Sequence, residues 1–317
     1  MANFSSLELI DKVDAWPYYQ QDPDAYRQHM SDYFYFFVVG VKEPLGYVHR
    51  DSVQGMVFPP DFWHVDHENR FLTLSGKAGD VLETTRQLQV TLKQNFDEGR
   101  VIRKWHNENL PVYDRHRQHI LDMDLCGVDL LGVVSYGVHL TAYVRSQGAD
   151  GAPVYKYWVP RRSYTKSTFP GMLDNFVAGN MLSGESPLEG MIREVSEETG
   201  IPEDFTRANI RSCGTVTYQM SKSNDGRVGC QHHCQFVFEL ELPADLVPHP
   251  NDGEVDSFTL MSLSEVQLAL SGDEFTPNRT LTYLAHFVRH GIVNHENEPR
   301  LMEICSRLHR KHDLFVA

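Results

Sequence analysis

The spacing of apolar residues divides the chain near residue 125. Before that point it predicts a small unit of helices and strands. Phe4 and Leu9 bracket Ser5-Ser6-Leu7-Glu8, a capping box with a hydrophobic staple, so a short helix opens the chain. Residues 33–41 (YFYFFVVGV) are aromatic and β-branched and predict a strand that Pro44-Leu45-Gly46 turns back as a hairpin. A strand over 71–74 and a helix over 80–95, with Val81, Leu88 and Leu92 on one side and Gly99 past its end, complete that unit. Beyond it, residues 137–145 and 154–160 predict strands joined by a turn at 147–151, and residues 211–220, 234–242 and 256–261 predict further strands. Cys234, Phe236, Phe238 and Leu240 share one strand face, which is expected to be buried. A short helix over 264–270, a longer one capped by Thr276-Pro277 and closed by Gly291, and an amphipathic helix marked by Leu301, Ile304, Cys305 and Leu308 follow. The fold class expected is α+β, with a smaller α+β domain over residues 1–125 and a larger domain over 126–317.

Residues 179–201 (GNMLSGESPLEGMIREVSEETGI) combine several signals. Ser186-Pro187-Leu188-Glu189 is a capping box with proline at the first helical position, and Gly200 stands where a left-handed cap ends the helix. Leu188, Ile192, Val195 and Thr199 recur at helical spacing as its packing face. Glu194 lies one turn from both Glu197 and Glu198, an arrangement that destabilises a bare helix but suits a hard divalent cation. Arg193, four residues before Glu197, can hold one of these carboxylates. A solvated acidic helix face is the competing explanation. It leaves the glycines, the cap and the arginine, all in one loop–helix pattern, without a purpose.

Charge sharpens the picture. The 317 residues carry 43 Asp and Glu against 29 Lys and Arg, a net charge of −14, which argues against partners such as nucleic acid or an anionic membrane surface. There is no apolar run of roughly 18 residues and no basic start followed by an apolar core, so neither a membrane span nor a secretory signal is expected. The five cysteines are scattered and odd in number, as in a reducing, cytoplasmic setting. Cys230-Gln231-His232-His233-Cys234 suggests zinc, but adjacent ligands on an extended chain point to opposite faces and no second pair is near in sequence. Arg161, Arg162 and Lys166 concentrate cations just upstream of residue 179. They are expected beside a phosphate-bearing substrate, the alternative being that they balance surface acids.

Residues 179–201 resemble a complete Nudix box, with each fixed glycine, glutamate and arginine present and aliphatic residues at Val195 and Ile201. The resemblance implies an α/β/α sandwich with a mixed β-sheet and metal-dependent hydrolysis of a small-molecule diphosphate. It implies that Glu194, Glu197 and Glu198 hold Mg²⁺, with Mn²⁺ as the other candidate ion, and that the backbone carbonyl of Ala178 completes a metal shell. Glu254, delivered by the turn-rich loop at 248–255, fits the further metal-binding or water-activating glutamate. Either Glu198 or Glu254 takes the water's proton. Arg193 orients Glu197, and Glu185 supports the loop or a metal.

Segments outside the box, among them Trp105…Glu108, Trp158-Val159-Pro160-Arg161-Arg162-Ser163, Leu173-Asp174-Asn175, Asp252-Gly253-Glu254-Val255 and Arg289-His290-Gly291, are similar to thiamine pyrophosphokinase-related Nudix proteins with an extra N-terminal domain. That similarity implies hydrolysis of thiamine diphosphate and its oxo or oxy analogues to monophosphates. Asn180 departs from it, standing where a second glycine is usual, a change that asparagine's tolerance of positive φ would make mild. No kinase activity is expected, since too little chain follows Gly291. Competing functions are hydrolysis of ADP-ribose, another nucleoside diphosphate derivative or an isoprenyl diphosphate, and a sensor that binds without turnover. Sensors tend to lose box carboxylates, and here none is lost. The N-terminal aromatics Trp16, Trp63, Trp105 and residues 33–37 are expected to close one wall of the pocket. The sequence leaves the oligomeric state open.

Overall fold

A computed structural model describes residues 3–149, 151–166, 168–222 and 228–314; Asp150, within the expected 147–151 turn, lies outside them. The opening capping box forms, with Ser5 Oγ accepting from the Glu8 N–H and Glu8 accepting from the Ser5 N–H, and starts α1 (Ser6–Asp11). Helix α2 (Pro23–Met30) has no strong apolar stripe, but Asp22 caps it and Pro23 fills its first position. The aromatic run becomes β1 (Tyr33–Val39), and the predicted hairpin pairs it with β2 (Gly46–His49). Then come α3 (Arg50–Gly55), β3 (Trp63–Asp66) and β4 (Phe71–Lys77), giving a sheet of order β2-β1-β4-β3. Helix α4 (Val81–Asp97) lays Leu88 and Leu92 on Phe34, Phe36, Leu72 and Leu74. The hairpin β5 (Asn109–Tyr113) and β6 (His119–Asp124) and helix α5 (Leu125–Leu131) close this core with Leu110, Ile120, Val128 and Leu131. Gly132, at φ 60°, turns the chain into the larger unit.

That unit runs β7 (Val134–Gln147), β8 (Pro153–Arg162), β9 (Val177–Asn180), α6 (Pro187–Thr199), α7 (Glu203–Asn209), β10 (Arg211–Lys222), β11 (Val228–Glu241), β12 (Val255–Ser262), α8 (Leu263–Ser271), α9 (Pro277–Arg289) and α10 (Leu301–Arg307). Its sheet has the order β10-β11-β7-β8-β12, with β9 beside β7. The β7–β11 pair is parallel and the others are antiparallel, so the sheet is mixed, as an α+β fold of the expected class requires. Helix α6 covers one face through Met191 and Val195, on Val138, Leu140, Phe238 and Leu240. Helix α9 covers the other face, joined by α10 and by α1 from the far end of the chain, where Leu7 and Ile10 meet Leu281, Leu284 and Ile304.

Two expectations change here. The strand predicted from residue 234 begins at Val228, so Cys230 to Cys234 lie inside β11, and both of its faces are buried. Leu188 heads the predicted packing stripe of α6 but is 39% exposed; the stripe is buried from Met191 onward, through Ile192, Val195 and Thr199.

Candidate active site

The box folds into the loop and helix its residues dictate. Ser186 accepts from the Glu189 N–H, but Glu189 does not complete the box, because its carboxylate binds both terminal nitrogens of Arg207 on α7. Gly200, at φ 69°, ends α6 in the left-handed conformation. Gly179 is needed for space: a Cβ there would overlap the Glu194 carboxylate. Gly179→Ala should therefore displace Glu194 and weaken binding of Mn²⁺, followed by its electron-paramagnetic resonance, about tenfold. Unchanged Mn²⁺ affinity would mean that Glu194 holds no metal. Asn180 does not use the positive φ that asparagine tolerates; it lies in ordinary strand backbone and donates from Nδ2 to Glu108 Oε2 at 3.3 Å.

Arg193 is the hub of the acidic cluster. Its Nε and Nη2 donate to the two oxygens of Glu185 at 2.7 and 3.1 Å, and its Nη1 meets Glu197 Oε2 at 3.0 Å and Glu194 Oε1 at 2.9 Å. The bond to Glu197 is the one expected from their spacing. Burial pushes the Glu194 carboxyl up to about 7 against the pull of Arg193. Burial, reinforced by Glu194, Asp174 and Glu254, pushes Glu198 well above the ordinary carboxylate range. Glu197, by contrast, is exposed; of these three glutamates only Glu198 lines the adjoining cleft, with Glu194 half-buried at its back.

That cleft places Ala178, Glu198 and Glu254 together with Arg162, Lys166, Asp174 and Asn175. Of the three predicted cations, two reach it. Lys166 Nζ pairs with Glu254 Oε2 at 2.5 Å, and Arg162 Nη1 donates to Asp174 Oδ2 at 2.5 Å. Arg161 does not line it and donates to the Gly171 carbonyl at 2.6 Å. Asp174 is buried between Arg162 and Arg279, whose Nε lies 2.8 Å from its Oδ1. Burial raises the Asp174 carboxyl, but Arg279 and Arg162 more than reverse this and hold it below its ordinary value.

Asp174, Asn175 and Arg279 were not singled out for the site from the sequence. A signal for Arg279 exists: it sits in the first turn of α9, where the helix dipole disfavours a cation and a carboxylate partner is called for. The N-terminal aromatics do not line the cleft. Trp63 lies in its own core and donates to Thr91 Oγ1, Trp16 packs on Tyr33 and Tyr47, and Trp105 packs near Phe96. The N-terminal unit instead touches the box loop through Glu108 and through the Asn109 carbonyl, which accepts from the Ser183 N–H at 2.9 Å.

Glu198, Glu254 and the Ala178 backbone offer oxygen ligands in the cleft, and the Glu194 carboxylate lies nearby against Gly179; oxygen donors of this kind suit a hard divalent cation. Among the described residues, Glu239, His286 and His290 are the group of acidic and imidazole side chains whose ligand atoms converge within 4.8 Å. There Arg289 already donates to Glu239 Oε1 at 2.9 and 2.6 Å, so that cluster is neutralised and ties α9 to β11.

The NUDIX domain family profile matches residues 142–282. An uncharacterized protein of Saccharomyces cerevisiae is 30% identical over 331 residues, covering 98% of this chain and 92% of that one. Nudix hydrolase 24 of Arabidopsis thaliana, named as chloroplastic, is 28% identical, covering 83% of this chain and 70% of its own length. Residues 142–282 carry a Nudix domain. Among solved structures, the Deinococcus radiodurans protein DR0079 is 21% identical and aligns over 56% of this chain and 98% of its own, with a TM-score of 0.39. As a Nudix hydrolase the protein is a pyrophosphohydrolase, and enzymes of this family generally use divalent metals such as Mg²⁺. No helix among the described residues is long and apolar enough to cross a membrane.

Proposed function

We propose that this Nudix hydrolase converts thiamine diphosphate, or its oxo and oxy analogues, to the monophosphate and orthophosphate. The observation that carries the reaction is the cleft that sets Glu198, Glu254 and Ala178 beside Arg162 and Lys166. The thiamine-type substrate is supported by the segments outside the box that resemble thiamine pyrophosphokinase-related Nudix proteins. Mg²⁺ bound there would neutralise phosphate charge and lower the pKa of the attacking water. Glu194, Glu198, Glu254 and the Ala178 carbonyl would hold it, and Arg193 fixes Glu194 from behind. Water attacks one phosphorus, the anhydride P–O bond breaks, and the water's proton passes to a carboxylate of the cleft. Phosphate release across thiamine diphosphate, its oxidised analogues, ADP-ribose and nucleotides tests the substrate. The thiamine series should give the highest kcat/KM. A preference for ADP-ribose would move the assignment to nucleoside diphosphate derivatives.

Lys166 has a double role in this proposal, as counter-ion of Glu254 and as a donor to the diphosphate. Lys166→Ala should raise KM about tenfold, the size of a lost charge-assisted hydrogen bond. The same variant should bind Mn²⁺ at least as tightly as wild type, because Glu254 is left without its competing cation. An unchanged KM would reduce Lys166 to the counter-ion role alone.

A further inference from the structure

We propose that Asn175 is a substrate-binding donor, its Nδ2 hydrogen-bonding a non-bridging phosphoryl oxygen of the bound diphosphate, with His139 as the residue that positions it. The inference rests on the diphosphate reading of the cleft given above. Asn175 is only 1% exposed, lines the cleft beside Ala178 and Glu198, and its Nδ2 has no hydrogen-bond partner among the described residues. Buried amide groups are nearly always paired, so an unpartnered one on a residue that lines a cleft points to a ligand that supplies the acceptor.

The rest of Asn175 is already committed. Its backbone N–H donates to Asp174 Oδ1 at 2.8 Å. Its Oδ1 lies 3.1 Å from His139 Nδ1, which is also 3.1 Å from Thr282 Oγ1 on α9. Electrostatics set which end of the amide faces outward. The cleft carries Glu198 and Glu254, so a carbonyl turned toward it would meet carboxylates, whereas the NH₂ end is favoured. The preceding residue, Asp174, is pinned from two sides by Arg162 and Arg279, so Asn175 stands on a fixed frame. His139 comes from the buried polar face of β7 and α9 covers it, which leaves it no role at the solvent and one at the amide.

The test uses the full chain with Asn175→Ala, the isosteric Asn175→Asp, His139→Leu and the His139→Leu/Asn175→Ala double variant. Orthophosphate affinity with Mg²⁺, KM and kcat for thiamine diphosphate, and Mn²⁺ affinity without substrate are measured for each. Both Asn175 variants should weaken orthophosphate binding and raise KM about tenfold, the loss of one hydrogen bond to a charged acceptor, with Mn²⁺ affinity within about twofold of wild type. His139→Leu should raise KM as Asn175→Ala does, and the double variant should be no worse than either single one. Wild-type phosphate affinity in Asn175→Asp, or a Mn²⁺ affinity that falls in step with KM, overturns the inference while leaving the diphosphate reading in place. Wild-type protein inert on every diphosphate overturns that reading itself.

Discussion

Glu198→Gln is expected to lower turnover at saturating Mg²⁺ by about a hundredfold or more while the fold remains intact. The amide keeps the shape of the side chain and removes the charge that a hard cation needs. The same substitution should stabilise the metal-free protein, and the sign follows from the protons involved. Glu194 and Glu198 are acids whose folded-state pKa is raised, by burial first, so the folded chain binds more protons there than the unfolded one. Stability from these groups is therefore fully present below the ordinary value of 4.5 and falls as pH rises through about 7 for Glu194, and further for Glu198. Thermal melts in EDTA should drop across this window more steeply for wild type than for Glu198→Gln, leaving the variant higher at pH values of about 8. Added Mg²⁺ should raise the wild-type midpoint more than the variant's. A variant that melts below wild type at high pH without metal would contradict the reading of Glu198 as a carboxylate that burial destabilises in its charged form.

Asp174→Ala should be the most damaging single change to stability. It removes the carboxylate between Arg162 and Arg279 and leaves two half-buried guanidinium groups without the anion that joins them. Breaking a buried pair in this way costs about 3–5 kcal/mol, measurable by urea denaturation. A loss below about 1 kcal/mol would mean that these pairs behave as solvated surface bridges.

The local elements were legible in the sequence because their determinants are local. The Ser5 and Ser186 caps, the Gly200 terminator, the apolar side of α4 with Leu88 and Leu92, and the aromatic run of β1 all fall within a few residues of the structure they specify. Helix α2 was missed although Asp22-Pro23 announced it, since its residues form no broad apolar stripe. The Arg193 bond to Glu197 followed from a one-turn spacing, whereas its bonds to Glu185 depend on how the loop folds back.

What the sequence hid lies across elements. In β7, Ser135, His139 and Thr141 alternate with Tyr136, Val138, Leu140 and Ala142, a pattern that normally marks a solvent face. Here the polar face is buried as well, because α9 lies over it, and within it His139 meets Asn175 and Thr282. Arg279 reaches Asp174 from a position 105 residues away, so no spacing rule could join them. The cation cluster illustrates the same limit. Three neighbouring side chains looked equivalent, yet the register of β8 with β12 and the path of the following loop send Arg162 and Lys166 to the cleft and Arg161 to the Gly171 carbonyl.

If this cleft hydrolyses a diphosphate through a metal held by the box carboxylates, product release must depend on both the metal and Glu198. Orthophosphate release from thiamine diphosphate by the full chain, with Mg²⁺, after EDTA treatment and in the Glu198→Gln variant, tests it most directly. Wild type with Mg²⁺ is expected to give equal amounts of monophosphate and orthophosphate, with loss of both in EDTA and recovery when Mg²⁺ is restored to wild type but not to the variant. Release that persists in EDTA, or a Glu198→Gln protein that turns over at the wild-type rate, would contradict it.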